Sequence, residues 1–284
     1  MPTDFVPYLL LLVTVWLSWI APPRFAFTGL LFSIVSGLAF HRLDLMALFW
    51  IGITGLSARI LIEPKISRYY RVLSAILFFF LCLILSNHYA SGFDNLLVFN
   101  EVHFSPDSAA FRMYLNFDKT IAGILIYLFL IKKWQKSSFT KGDFLLSFKT
   151  LGILLICIIP LALVTEYVKI DLKLHQQSWL WALNNLFFVC LAEEALFRGF
   201  VQEALSRWKP ESRGWNFVVL LISSLLFGLA HYKGGLTYIG FATLAGLFYG
   251  FAYFKTKRIE SSILVHFGLN SFHFFLFSYP FFKT

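Results

Sequence analysis

Two adjacent carboxylates and an arginine lie in the segment LAEEALFRGF, residues 191–200, which is otherwise apolar. A charged side chain near the centre of a bilayer costs about 2.5–3.5 kcal/mol on insertion scales, so such charges are kept where they pair or line a wet cavity. Glu194 and Arg198 are four residues apart, which puts them on one helical face where a salt bridge can form. Glu193 points about 100° away from that pair. The simpler alternative is that the helix has already left the membrane and that these charges are interfacial.

Two later apolar segments carry histidines at helical spacing. The segment FGLAH runs from Phe227 to His231, and the last apolar segment contains His266 and Asn270, which project to the same side of a helix. A carboxylate and an imidazole can position and deprotonate a water, while a second imidazole and an amide can donate hydrogen bonds to a developing oxyanion. With Glu193 as the carboxylate, this set suits hydrolysis of an amide bond without a serine or cysteine nucleophile.

The same residue types could instead hold a metal ion. Two histidines and one or two glutamates can bind zinc and leave an open coordination position. Here, however, the ligands would come from three separate helices, and their spacing is not the H-E-x-x-H pattern of zinc peptidases. We therefore predict no cofactor, with a divalent metal such as zinc as the alternative.

The composition determines which solvent these groups face. Hydrophobic residues make up 58% of the 284 residues, charged residues make up 14%, and the mean hydropathy is +0.73. Soluble domains carry about a quarter charged residues, and apolar runs near the roughly 20 residues that cross a bilayer recur along this chain. The sequence predicts an integral, multi-pass membrane protein with an all-α fold, a polytopic transmembrane bundle of about eight to ten helices. Apolar length and punctuation place candidate helices at about 5–21, 25–40, 44–62, 72–87, 119–132, 145–165, 178–207, 214–231, 236–254 and 260–279.

The basic residues indicate the topology of these helices. When alternate connections are assigned to one side, most of the 24 lysines and arginines fall on that side, with Arg198 left inside a span. By the positive-inside rule the basic side is cytoplasmic, so both termini are expected to be extracytoplasmic, in a bacterial-type inner or plasma membrane. Topology accounts for the net charge of +9, and the lipid bilayer rather than nucleic acid is the expected partner.

Two other features concern architecture. The longest polar connection, residues 87–118, is expected to be a solvated outer loop, and its acidic residues and His103 have no spacing that defines a metal site. Small residues recur every four positions at Ala242, Gly246 and Gly250, which places them on one helical face. This row predicts a close approach between two helices.

Taken together, the chemical motifs resemble those of the CAAX protease and bacteriocin-processing (CPBP, or Abi) family of glutamate intramembrane peptidases. The motifs occur in order and on successive or near-successive apolar helices, within about residues 178–279: Glu193-Glu194-x3-Arg198-Gly199, Phe227-x3-His231 and His266-x3-Asn270. The resemblance divides the chain into residues 1–170, helices without family motifs, and residues 171–284, a CAAX-protease-like catalytic helical core.

The resemblance also implies roles for these residues. Glu193 would activate the attacking water with help from His231, while His266 and Asn270 would stabilise the oxyanion. The supporting residues would be Glu194, Arg198 and Phe227. The implied substrate is a membrane-anchored or lipidated protein or peptide, cleaved near its C terminus.

Two functions from other classes stay open at this point. An ion- or proton-coupled transporter could use intramembrane glutamate, arginine and histidine as its path, although the sequence has no paired inverted halves. A non-catalytic membrane scaffold, such as an immunity protein of the same fold, would keep the helices and could lose the glutamate and histidine. All motif positions are occupied in this chain.

Overall fold

The computed structural model describes residues 3–105, 107–135 and 138–283. The first part of the chain forms a 3-10 turn (Thr3–Phe5), α1 (Val6–Ile20), α2 (Pro23–Ala39), α3 (Leu45–Ile62), α4 (Arg68–Ser86), β1 (Leu96–Val102), β2 (Phe111–Leu115), α5 (Phe117–Ile126), a π-helical turn (Tyr127–Ile131) and α6 (Lys132–Trp134). The rest forms α7 (Lys141–Val164), α8 (Ser178–Asn184), α9 (Leu191–Glu194), α10 (Glu203–Ser206), α11 (Arg213–Ala230), a 3-10 turn (Tyr232–Gly234), α12 (Gly235–Thr256) and α13 (Ile259–Leu276).

The predicted all-α, polytopic membrane fold is confirmed. Within the described ranges, seven helical segments are long and apolar enough to cross a membrane: Thr3–Ile20, Leu45–Ile62, Arg68–Ser86, Lys141–Val164, Ser178–Ser206, Arg213–Ala230 and Tyr232–Thr256. The helix Pro23–Ala39 is apolar but shorter. Large apolar side chains such as Val164 and Leu236 are exposed, as expected for a surface that faces lipid.

Local signals in the sequence set several helix ends. Asp44 precedes α3, and its carboxylate accepts hydrogen bonds from the backbone N–H groups of Met46 and Ala47. Thr140 and Asp143 form a reciprocal capping box at the start of α7. Both arrangements satisfy backbone donors that the first helical turn leaves unpaired.

The chain divides into two compact units, each built from separate stretches of sequence. The first unit comprises Met1–Val98, Met113–Trp134 and Phe187–Leu196; the second comprises Phe99–Arg112, Gln135–Leu186 and Phe197–Thr284. The sequence-based division at residue 170 rests on the family motifs and stays a prediction.

In the first unit, α5 is the central helix. It contacts α1, α3, α4 and α9, and every residue from Phe117 to Ile126 is buried except Lys119. At Gly123 an added Cβ would lie 2.8 Å from the Cα atom of Ala192, so the backbones of α5 and α9 approach closely. The predicted helix at 119–132 is therefore present, and its short apolar run fits a helix enclosed by protein.

In the second unit, α11 packs on α12, and α12 and α13 both contact α7. The predicted close approach at the small residues is confirmed at two positions. A Cβ at Gly246 would lie 3.3 Å from the Cα atom of Ser224, and a Cβ at Gly250 would lie 2.5 Å from the Leu220 side chain. Both neighbours belong to α11, so the glycines allow the two helices to pack closely.

The connection at 87–118, which was expected to be a solvated loop, contains two short strands that were not predicted. Leu96–Val102 and Phe111–Leu115 pair as a two-stranded sheet. Buried side chains alternate with exposed ones along the second strand, where Met113 and Leu115 are buried. Strands this short carry a weak periodic signal, and the polar residues between them hid it.

Candidate active site

The first motif lies in a helix of unusual geometry. Ser178–Ser206 is one continuous helical segment in which two π-helical stretches, Asn185–Cys190 and Ala195–Gln202, flank the single α-turn Leu191–Glu194. π-Helical turns are rare and are frequent at functional sites, since they re-aim side chains relative to a regular helix. The predicted helix at 178–207 is confirmed, but the π-turns were not foreseen.

Glu193 is paired with a lysine from a distant part of the chain. Within the first unit, the Nζ atom of Lys119 lies 2.6 Å from Glu193 Oε1, and each side chain is 13% exposed. This contact joins α5 to α9. Sequence analysis missed Lys119, although a lysine within the apolar segment FDKTIAGILI was a visible signal that it needs a partner.

The two supporting charges are both fully buried. Glu194 is 0% exposed in the first unit, and Arg198 is 0% exposed in the second. Arg198 Nη2 donates a hydrogen bond of 2.9 Å to the carbonyl oxygen of Gly246, and its guanidinium carbon lies 4.7 Å from the centroid of the Phe227 ring. Arg198 is therefore enclosed by protein, and its place inside a membrane span stays a prediction. The Glu194–Arg198 salt bridge stays a prediction.

A second hydrogen bond repeats this pattern one turn further along. Gln202 Nε2 donates to the carbonyl oxygen of Gly250 at 2.9 Å, so residues four apart on one helix bind carbonyls four apart on α12. Gly246 and Gly250 have no Cβ atom, so the side chains of Arg198 and Gln202 can approach these carbonyls closely. Arg198 thus fixes the helix after the first motif onto the glycine face of α12.

The histidines of the second and third motifs meet around aromatic rings. The Phe227 ring centroid lies 4.7 Å from that of His231 and 5.6 Å from that of His266. The His266 ring also stacks on Tyr249, with centroids 4.5 Å apart and an interplanar angle of 16°. The structure therefore brings His231, Phe227 and His266 together, and it adds Tyr249, which sequence analysis did not single out.

The tautomer of His231 follows from its hydrogen bond. His231 caps the C-terminal end of α11, and its Nδ1 lies 2.7 Å from the Phe227 carbonyl oxygen. A carbonyl oxygen can only accept, so Nδ1 carries the proton and donates. In the neutral ring Nε2 then holds the lone pair, as a general base requires.

His231, His266 and Asn270 line one cavity of the second unit, with a volume of about 110 Å³. The spacing argument for His266 and Asn270 is confirmed, because both side chains of α13 reach this cavity. A water molecule needs about 10–15 Å³ of such volume, so the cavity can hold water beside the histidines. The remaining wall is mainly apolar and comes from α7, α11, α12, α13 and the chain near Tyr167.

Polar groups around the cavity orient its side chains. Asn270 Nδ2 donates to Asn185 Oδ1 at 3.2 Å, and Asn185 lies at the start of the first π-helical stretch. Burial raises the pKa of Tyr167, which also lines the cavity, to about 12, so its hydroxyl is protonated at neutral pH. Sequence analysis missed Asn185, for which the pair of asparagines in the apolar segment WALNNLFF was the available signal.

The metal alternative depends on ligands that lie close together. Among the residues that the structure describes, no group of three or more histidine, cysteine, aspartate or glutamate side chains is arranged to hold a metal ion. Of the acidic residues in the 87–118 connection, Asp94 pairs with Arg42, and Glu101 pairs with Arg112.

The fold defines an integral, multi-pass membrane protein. Residues 175–272 match the family model described as Type II CAAX prenyl endopeptidase Rce1-like, and all three motifs fall within the match. This part of the chain therefore matches a model of the CAAX protease family, the family that the motifs resemble. No curated protein and no solved structure gives a significant match to the chain.

Proposed function

We propose that the protein is an intramembrane endopeptidase that hydrolyses a peptide bond with a water activated by glutamate and histidine. The observation that carries the proposal is the cavity in which His231, His266 and Asn270 converge inside the domain of the CAAX protease family. The substrate is a membrane-anchored or lipidated protein, cleaved near its C terminus, as expected from the kind of domain present.

In the proposed reaction, Glu193 activates the attacking water with help from His231. The water oxygen adds to the peptide carbonyl carbon while Glu193 takes a proton from it. The carbonyl oxygen becomes an oxyanion, which accepts hydrogen bonds from His266 and from the Asn270 amide. When the C–N bond breaks, Glu193 returns the proton to the leaving amine, and the products are a carboxylic acid and an amine.

The supporting residues hold this machinery in place. Arg198 anchors its helix to α12 through the Gly246 carbonyl, and the Phe227 ring packs against both imidazoles. Preorganised donors matter because they act on charge that develops only in the transition state. The proposed location is a bacterial-type inner or plasma membrane. Both termini are proposed to be extracytoplasmic, an orientation that the distribution of basic residues favours.

The test is cleavage of a library of membrane-anchored peptide tails by the protein purified in detergent. We expect Glu193→Gln and His231→Ala to lose activity by at least about 100-fold, within the 10²–10⁴-fold that general acid–base catalysis contributes. The exposed Glu211 provides a matched control, and Glu211→Gln should cleave like the wild type. Unchanged cleavage by Glu193→Gln would end the glutamate mechanism.

A chelator separates the two chemistries. Incubation with 1,10-phenanthroline should leave cleavage unchanged if glutamate activates the water directly. Loss of cleavage that added zinc restores would favour the metal alternative, since zinc supplies its own activated water.

A further inference from the structure

The partner of Glu193 comes from outside the matched domain. Lys119 lies before the matched residues 175–272 and is 74 residues from Glu193 in the sequence. Its ammonium nitrogen nevertheless lies 2.6 Å from Glu193 Oε1. Both side chains are mostly buried at 13% exposure, whereas the surface pair of Arg112 and Glu101 is more than half exposed. Water strongly screens the attraction between the two surface charges, whereas it screens the buried pair much less.

The backbone of the first unit determines where Lys119 points. Lys119 and Gly123 are four residues apart on α5 and share a helical face. Gly123 is in close contact with Ala192, the residue before Glu193. Since α5 contacts α1, α3, α4 and α9, it cannot shift without disturbing the packing of the whole unit. A buried and closely packed helix therefore holds Lys119 next to Glu193.

Two other charged residues lie next to this ion pair in the sequence. On α5 the only other charged residue is Asp118, which is buried; its carboxylate lies 2.9 Å from His88 Nδ1 and accepts a hydrogen bond of 3.1 Å from Asn95 Nδ2. On α9 the only other charged residue is Glu194, which is fully buried. Lys119 thus forms an ion pair with Glu193, the residue proposed to act as base.

We propose that Lys119 is a positioning residue for the peptidase reaction. Its ammonium group orients the Glu193 carboxylate and holds it in the ionised form. This inference rests on the proposed function. A general base must be ionised before it can take a proton, and a fixed ammonium next to it favours the carboxylate over the carboxylic acid. After Glu193 has taken the proton from water, the ion pair is weakened. That loss favours return of the proton to the leaving amine.

The test measures kcat and KM for cleavage by Lys119 variants. Lys119→Met should lower kcat by at least about tenfold, a part of the contribution of the general base, and leave KM within about twofold of wild type. Lys119→Arg keeps the charge and should retain most of the activity, whereas Lys119→Gln keeps a donor without the charge and should behave like Lys119→Met. If Lys119→Met does not fold, the comparison of the arginine and glutamine variants decides the question.

A matched control comes from the same unit. Lys132 is also a partly buried lysine, and its Nζ donates to the backbone carbonyl of Ala21 rather than to a carboxylate. Lys132→Met should therefore keep the kcat of the wild type. An equal loss of kcat in both methionine variants would mean that Lys119 has only a structural role.

The inference and the proposed function fail in different ways. If Glu193→Gln cleaves normally, the proposed function is wrong. If Glu193→Gln is inactive while Lys119→Met and Lys119→Gln have wild-type kcat, only the role of Lys119 is wrong. If both glutamine variants are inactive and Lys119→Arg is active, the charge of Lys119 is required for the action of Glu193.

Discussion

Replacing Arg198 by methionine should destabilise the protein more than the loss of any surface charge. Arg198 is 0% exposed, and methionine keeps much of its length while removing the guanidinium. The hydrogen bond to the Gly246 carbonyl has a charged donor, so its loss costs about 1.5–3 kcal/mol. The contact of the guanidinium with the Phe227 ring at 4.7 Å adds about 0.5–2 kcal/mol in a desolvated site. The free energy of unfolding should fall by about 2–5 kcal/mol, from these two contributions.

The assay is unfolding by sodium dodecyl sulfate in mixed micelles, followed by tryptophan fluorescence. Arg112→Met is the matched control, because Arg112 is 56% exposed and pairs with an exposed Glu101. Exposed pairs of this kind contribute about 0.2–1 kcal/mol. Equal unfolding free energies for the two variants would refute the reasoning that Arg198 fastens its helix to α12. Arg198→Lys should recover little stability, since an ammonium cannot reproduce a planar guanidinium.

Two further predictions concern packing and topology. Gly250→Ala should lower the free energy of unfolding by about 1–3 kcal/mol, because the new Cβ would lie 2.5 Å from Leu220 and 2.8 Å from Gln202 Oε1. Gly240→Ala, on the same helix with no atom within 4 Å of the new Cβ, should not destabilise the protein, and a loss of stability at both glycines would argue against steric packing as the cause. A reporter that is active only outside the cytoplasm should be active when fused at either terminus. Activity of a cytoplasmic reporter at either end would contradict the predicted orientation.

The helices could be predicted because lipid imposes a simple rule on sequence. Each span must satisfy its own backbone hydrogen bonds and present apolar side chains over its length. The expected helices at 178–207 and 214–231 correspond to Ser178–Ser206 and Arg213–Ala230. The two strands were missed because a short hairpin in a polar connection obeys no such rule.

Part of the candidate site was also predictable from local spacing. His266 and Asn270 are one helical turn apart, so any helix places them on the same side, and both line the cavity. The partners of the site residues were not predictable. Lys119 is 74 residues from Glu193, and Asn185 is 85 residues from Asn270. The periodicity of a helix does not indicate which distant side chain will contact a residue on that helix.

The sequence by itself determined the membrane-spanning class, the order of the three motifs and the spacing that puts His266 beside Asn270. These properties depend on composition and on the 3.6-residue period of the helix. Tertiary structure alone decided that Lys119 pairs with Glu193 and that the Arg198 guanidinium binds the Gly246 carbonyl. Such contacts depend on how helices pack. Helix packing depends in turn on how the side chains of all neighbouring helices interdigitate.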